Sequence, residues 1–454
     1  MMIELKDALQ IVLDSAKLLG TERVELSDAL DRILAEDVAS DIDMPPFDKA
    51  TVDGYACRRA DLGDMLTVVE TIPAGVVPAK AIGPSQCAKI MTGAAVPEGA
   101  NCVIMIEQTE QVAANRGEGV PPLRRETIWA SSHPGAMHPG PEVQGQGDPK
   151  RDESRLGTRD ALATKNKGKM PSPPREDAIR FAGERTADNI LRKAADIQAG
   201  QVVVRRGSRI SAQHIAALAS VGCVRPLVAK SPRVGVVASG DELVPPAAKP
   251  GPSQIRNSNS LQLAAQVGAM GLKARDYGVV KDVAGEIDAV LKRALAENDV
   301  VIVSGGVSVG DFDLVPEAMR RTGVKLLFEK IAVKPGKPTV FGLSEQAYCF
   351  GSPGNPVSTF VVFELVVKPF LYRLMGHDYA PRRVQMKLAE SITRRDTDRQ
   401  TWIPVKITDA ETVKTVEYHG SAHILALCEA DGLISMDIGS ASIRQGAPVH
   451  VRLL

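Results

Sequence analysis

Apolar residues follow a helical period at the start of the chain: Leu5, Ala8, Leu9, Val12, Leu13 and Ala16 fall on one face, which predicts a helix over residues 4–18. A second short helix is expected over Leu26–Leu34. Pro45 and Pro46 then forbid a helix in the stretch from Asp41 to Ala56. Residues 65–112 read as short strands cut by Gly and Pro, among them Cys87–Gly93 and Cys102–Ile106, and predict a small β-domain. Order resumes around Asp196–Val204 and continues into a helix over Ala212–Ser220.

From Pro232 the pattern changes. Strands Val234–Ala238, Ala274–Val280 and Val300–Ser304 precede helices Asn259–Met270, Val283–Leu295 and Leu314–Arg321. Strands near Leu326–Val333 and Tyr348–Gly351 lead to a long helix over Val357–Met375. Such alternation predicts a mostly parallel sheet with helices on both faces. After Gly376 the chain reads as β-rich again, at Val384–Ala389, Thr401–Ile407 and Pro448–Leu453.

Residues 115–175 show neither period. They are rich in Pro, Gly, Arg and Lys and bury too little apolar surface to offset their ordering entropy, so a disordered insertion is expected there. The fold class expected is multidomain, α+β and α/β, with a central α/β domain at 231–375. Two smaller β-rich domains are expected at 46–114 with 176–196 and at 376–454. An extended N-terminal helical and linker domain takes 1–45 with 197–230.

Composition narrows the function classes. With 55 basic and 55 acidic residues the net charge is zero, so no global field favours nucleic acid or an anionic membrane, and any anion site must be local. Aromatics at 4% make base stacking a poor basis for binding. Cys57, Cys87, Cys102, Cys223, Cys349 and Cys428 form no C-x-x-C pair and read as buried thiols in a reducing compartment. Neither a secretory signal nor an apolar run of the ~20 residues needed to cross a bilayer is present, so a cytoplasmic chain is expected.

Candidate chemistry gathers at predicted strand ends. Strand Val300–Ser304 runs into Gly305, Gly306, Ser308 and Gly310 and then into Asp311 and Asp313. Glycines leave backbone N–H groups free to converge on an anion, and carboxylates beside them suit a divalent cation bridging to phosphate. Ser239-Gly240-Asp241-Glu242, Lys281-Asp282 and Ser352-Pro353-Gly354-Asn355 end other strands of the same sheet, at the edge where open α/β sheets bind ligands. A single carboxylate there is most simply a helix cap, but three strands each delivering one favour Mg²⁺. Lys330 and Lys334, an even number apart, are expected to share a strand face beside the Pro335-Gly336-Lys337-Pro338 turn, with an anion between them. Asp53-Gly54 and Thr92-Gly93 offer a carboxylate and a hydroxyl, each weak alone.

Taken together, these segments resemble the molybdopterin molybdenumtransferase family, called MoeA in bacteria and represented by the gephyrin E-domain in animals. The matching stretches are Pro46–Ala56, Ile90–Pro97, Ser239–Leu243, Ser304–Asp313, Ala332–Pro338 and Gly351–Val357, in family order. The resemblance implies a pterin-binding central domain and insertion of molybdenum from molybdate into adenylylated molybdopterin, with Mg²⁺-dependent release of AMP. It implies that Asp53, Thr92, Glu242, Asp282, Asp313, Lys330 and Lys334 line the active site, with Glu242, Asp282 and Asp313 around the metal. Ser239, Gly240, Gly305, Gly306, Ser308, Gly310, Lys337, Ser352, Pro353, Asn355 and Asp196 would contact the pterin or its phosphates. A homodimer with a shared site is implied, as are contacts with the molybdopterin adenylyltransferase and with molybdoenzymes. A gephyrin-like scaffold without turnover and a tungsten-selective transferase are the alternatives. One stretch departs from the pattern: Ala194 and Ala195 stand where the family carries Gly-Glu ahead of Asp196, and Arg192 is the substitute for an arginine expected near Leu191.

Overall fold

A computed structural model describes residues 2–112, 177–307 and 314–454. The expected insertion at 115–175 lies outside the described residues, as do Ser308, Gly310, Asp311 and Asp313. The chain divides into two compact units, residues 1–43 with 197–454 and residues 44–196.

The larger unit is built on a six-stranded sheet ordered Ala274–Val280, Val234–Ser239, Val300–Ser304, Tyr348–Ser352, Val340–Leu343 and Lys325–Phe328. The first four strands are parallel and the last two antiparallel. Alternation along the central strands sends Val234, Val236, Val300, Ile302 and Phe350 to one core with helix Asn259–Gly268. It sends Val237, Val301, Val303 and Cys349 to another with helices Ala284–Glu297 and Val315–Arg321. Both faces are covered, which is why these strands read as continuous apolar runs. Register aligns Ala238 with Ser304, and Ser304 with Ser352, so the strands finish level.

The same unit holds a second six-stranded sheet, from Val333–Lys334, Gln400–Ile407, Thr412–Thr415, Arg383–Leu388, Pro448–Leu453 and Gly432–Met436. An extra pairing between Gln400–Ile407 and Gly432–Met436 closes it into a barrel around Leu388, Val405, Val413, Ile434 and Val451. At the N-terminus, helix Leu5–Ser15 buries Ala8 and Val12 against the first core.

The smaller unit is a mixed sheet ordered Cys102–Met105, Gly54–Cys57, Gln86–Ile90, Met65–Ile72, Ala178–Phe181 and Thr109–Val112. Register places Cys57 directly opposite both Cys87 and Cys102, so residues far apart in the chain form a row of buried thiols. Cys57 Sγ lies 3.6 Å from Cys102 Sγ, and burial pushes the Cys87 thiol up to about 12. These thiols pack as small apolar groups.

Three local expectations fail. The helix over Leu26–Leu34 is only a 3₁₀ turn at Leu26–Asp28, because Ile33 and Leu34 are extended and bridge to Arg209 and Val228. The long helix over 357–375 is interrupted by a π turn at Phe363–Val367. Pro369 has no N–H to give to the ladder, and the wider turn just before it absorbs that loss. Finally, 326–333 is not one strand: Lys325–Phe328 edges the central sheet, while Val333–Lys334 belongs to the barrel. Lys330 and Lys334 therefore do not share a strand face. No helix among the described residues is long and apolar enough to cross a membrane.

Candidate functional site

The level strand ends of the central sheet open a cleft of about 700 Å³. Its wall takes Ser239, Gly240 and Glu242 from the first strand end, Asp282 from the next, and Ser304, Gly305 and Gly306 from the third. Pro353, Gly354 and Asn355 come from the fourth, and Pro338 from the turn that carries Lys337. Ala422 and Ile424 of the barrel module line it as well. Its shape follows from parallel strands that finish level, whose following loops must splay apart toward helices on opposite faces.

Within the cleft the Asp282 carboxylate is oriented by a short bond. Ser239 Oγ donates to Asp282 Oδ1 at 2.5 Å, and the Asp282 amide donates to Asp241 Oδ1 at 3.2 Å. Glu242 is exposed, and its carboxylate folds back over Gly240, where a Cβ would lie 2.6 Å from Glu242 Oε2. Gly305 sits at φ +97°, and a Cβ there would lie 2.2 Å from the Ser239 carbonyl oxygen. No side chain fits that approach, so glycine is a steric requirement at the crossing of the two turns.

The anion-cradle expectation is corrected at Gly305, and Gly240, expected as a ligand contact at another strand end, is engaged in the same way. The Gly305 amide donates to the Ser352 carbonyl at 3.0 Å and the Gly240 amide to the Val280 carbonyl at 3.1 Å. Both N–H groups are used in joining strand ends, so these glycines wall the cleft rather than offer donors to it. Sequence reasoning also missed a segment. Arg256, Asn257, Ser258 and Asn259 all line the cleft, and among the described lining residues Arg256 is the cation. Its Nε donates to the Ala248 carbonyl at 3.0 Å, which fixes the base of the guanidinium. The available signal was the run Arg-Asn-Ser-Asn just ahead of an apolar helical pattern, at the far end of the same strand-to-helix connection that begins with Ser239–Glu242.

Other expected site residues lie elsewhere. Lys330, Lys334 and Lys337 are not among the residues lining the cleft, although Pro338 is. Ser352 is buried and is not among the lining residues, and its hydroxyl has no hydrogen-bond partner among the described residues. Asp53 and Thr92 belong to the smaller unit and pair there: Asp53 Oδ1 accepts from Thr92 Oγ1 at 2.7 Å and from the Thr92 amide at 2.6 Å. The Thr92 hydroxyl and amide hold the Asp53 carboxyl below the usual carboxylate range. Asp196, also in that unit, is exposed and donates its amide to the Met44 carbonyl.

The altered stretch before Asp196 has a structural cost. Ala194 is at φ +61°, a conformation that glycine adopts freely and alanine does not. Arg192 does not stand as a free cation, since its guanidinium lies 2.8 Å from Asp48 and 4.0 Å from Asp188. Asp48 in turn accepts the Lys193 amide at 2.7 Å, and that bond with Arg192 beside it keeps its carboxyl below the usual range.

Among the described residues no group of three or more His, Cys, Asp and Glu side chains is assembled to hold a metal ion. Glu242 and Asp282 nevertheless share the cleft, and two carboxylates fit an ion that keeps most of its water and takes its remaining ligands from phosphate.

Comparison with known proteins bears on what this cleft belongs to. Residues 3–222 match the MoeA N-terminal region (domain I and II), 235–373 the "Probable molybdopterin binding domain", and 385–454 the MoeA C-terminal region (domain IV). The chain is 30% identical to the molybdopterin molybdenumtransferase of Bacillus subtilis, over 96% of this chain and 90% of that one. It is 29% identical to the protein of the same name from Staphylococcus epidermidis, over 99% and 95%. The crystal structure of the molybdopterin biosynthesis moeA protein from Pyrococcus horikoshii superposes with a TM-score of 0.74 at 25% identity, covering all of both chains. Full-length matches of this kind, over the same segments that build the cleft, place the chain in the molybdopterin molybdenumtransferase family of molybdenum cofactor biosynthesis.

Proposed function

We propose that this chain inserts molybdenum from molybdate into adenylylated molybdopterin and releases AMP in a Mg²⁺-dependent reaction. The observation that carries this reading is the carboxyl-edge cleft, lined by Glu242 and Asp282 from beyond the ends of parallel strands and by Arg256 from the connection after the first of them. A phosphoanhydride needs this combination: a cation that pairs with phosphate oxygens, and acidic oxygens that hold a divalent ion against them. Arg256 would take the phosphate in its planar fork. Glu242 and Asp282 would hold Mg²⁺, with Asp313 as the third residue of the set. The ion would neutralise charge developing on the anhydride oxygens. Ser239 orients the Asp282 carboxylate through its 2.5 Å bond, so that the second oxygen stays available.

Lys330, Lys334 and Lys337 would serve the anionic oxygens of molybdate, a reading supported by Pro338 of the same turn lining the cleft. Asp53 and Thr92 would act in a homodimer, which sedimentation at graded concentration checks. The division into 1–45 with 197–230, 46–114 with 176–196, 231–375 and 376–454, and a cytoplasmic location, belong to the same reading.

The test supplies adenylylated molybdopterin, molybdate and Mg²⁺ to the purified chain and follows AMP. Release that requires both molybdate and Mg²⁺ is the expected result. A chain that leaves the adenylylated pterin intact under those conditions does not have this function.

A further inference from the structure

We infer that Asn259 is a positioning residue of this cleft, whose side-chain amide fixes the spacing between the Ser304–Gly306 turn and the Pro353–Asn355 turn. The inference rests on the cleft being the ligand site proposed above. Asn259 opens helix Asn259–Gly268, and that helix is anchored by Leu263 and Val267 in the main core. Its side chain stands at the sheet edge with 8% of its surface exposed.

The amide nitrogen is fully committed. Asn259 Nδ2 donates to Ser304 Oγ at 2.8 Å and to the Gly354 carbonyl at 2.7 Å, with Thr359 Oγ1 further off at 3.4 Å. One acceptor therefore belongs to each turn, and the two N–H bonds of a single planar group set the distance between them. The turns already touch: the Gly305 amide bonds the Ser352 carbonyl, and a Cβ on Gly354 would lie 3.7 Å from Gly305 Cα. Asn259 is the rigid strut across that contact, tied to a helix rather than to either turn.

The other end of the side chain carries the discriminating observation. Asn259 Oδ1 is buried and has no hydrogen-bond partner among the described residues. A residue retained only to fill space would not keep an orphaned carbonyl oxygen, since an apolar side chain of similar size avoids that penalty. Keeping asparagine here makes sense if the donor pair is what the site needs. Aspartate has the same shape but presents an oxygen to the Gly354 carbonyl, acceptor against acceptor, and should push the turns apart.

The experiment compares wild type, Asn259→Asp and Asn259→Ser, the last of which keeps a hydroxyl donor. Affinity for adenylylated molybdopterin is read by calorimetry and the turns by hydrogen exchange over 302–307 and 350–356 without ligand. We expect about a tenfold weaker Kd for Asn259→Asp, the fold-change of one lost hydrogen bond, with partial recovery in Asn259→Ser. Exchange should quicken in the two turns and stay at wild-type rates in the barrel. Unchanged affinity and exchange in Asn259→Asp would overturn the inference. So would exchange that rises equally in the barrel, which would mark Asn259 as a general stability residue. If wild type binds no adenylylated molybdopterin, the proposed function fails, and the exchange pattern still decides the role of Asn259. Should Asn259→Asp fail to fold, Asn259→Ala, which removes the donors without adding charge, is read by the same criteria.

Discussion

Two carboxylate–hydroxyl pairs sit in different units of this chain and are built in opposite ways. Ser239 and Asp282 meet at 2.5 Å on the ends of neighbouring parallel strands, in the wall of a cleft. Asp53 and Thr92 meet on exposed turns of the smaller unit, and one threonine supplies both donors to one carboxylate oxygen. In the first pair the sheet fixes the geometry and the hydroxyl only aims a carboxylate. In the second the hydrogen bonds themselves hold the carboxylate, and its acidity depends on them. Glycine takes the positive φ beside each pair, at Gly305 and Gly306 in the cleft and at Gly93 next to Thr92, but the smaller unit also asks Ala194 to adopt φ +61°.

That contrast can be broken at three points. The largest effect is expected from Asp282→Asn, which keeps an acceptor for Ser239 Oγ and leaves the sheet intact but removes a charge from the cleft. AMP release should fall by about 10²–10³-fold, the scale of losing one electrostatic contact in a preorganised site, while Tm holds. An unchanged rate would remove Asp282 from the machinery. A smaller effect is expected from Ala194→Gly. Relief of the left-handed alanine, less the extra freedom glycine gains when unfolded, should stabilise the chain by about 0.5–1 kcal/mol in denaturant unfolding. A destabilised variant would show that Ala194 carries no strain.

The smallest effect is expected from Thr92→Val. The Asp53 carboxyl lies below its ordinary value because Thr92 donates to its ionised form, and the valine variant loses the hydroxyl donor but keeps the amide. Its titration, followed by carboxyl carbon NMR, should move up toward the unperturbed value. The sign for stability follows from linkage: a lowered carboxylate stabilises the fold above the unfolded pKa, and that contribution fades as pH falls through the folded pKa. The variant and wild type should therefore differ near neutral pH and converge in acid. Coincident titration curves would show that the amide alone holds Asp53.

Residue patterns fixed much of this in advance. The strand Val300–Ser304 and the helix Ala212–Ser220 appear with the bounds their apolar runs predict. Ser239, Gly240 and Glu242, Asp282, and Ser304–Gly306 do line one cleft, because parallel strands of matched register must end together. The lysines were harder to read. Lys330 and Lys334 have even spacing, but the chain passes from one sheet to another between them, and spacing carries no record of such a crossing.

By itself the sequence determined the strand–helix alternation after Pro232, the breaks at glycine and proline, and the set of acidic and basic groups, since these depend on neighbours within a few residues. Tertiary structure alone decided what came from afar to each place. It set Cys57 between Cys87 and Cys102, spent the Gly305 amide on Ser352, and tied Arg192 to Asp48. It also brought Asn259 between two turns that lie 45 and 95 residues away along the chain. Those partners are chosen by strand register and helix packing, which depend on the whole core rather than on any short stretch of it.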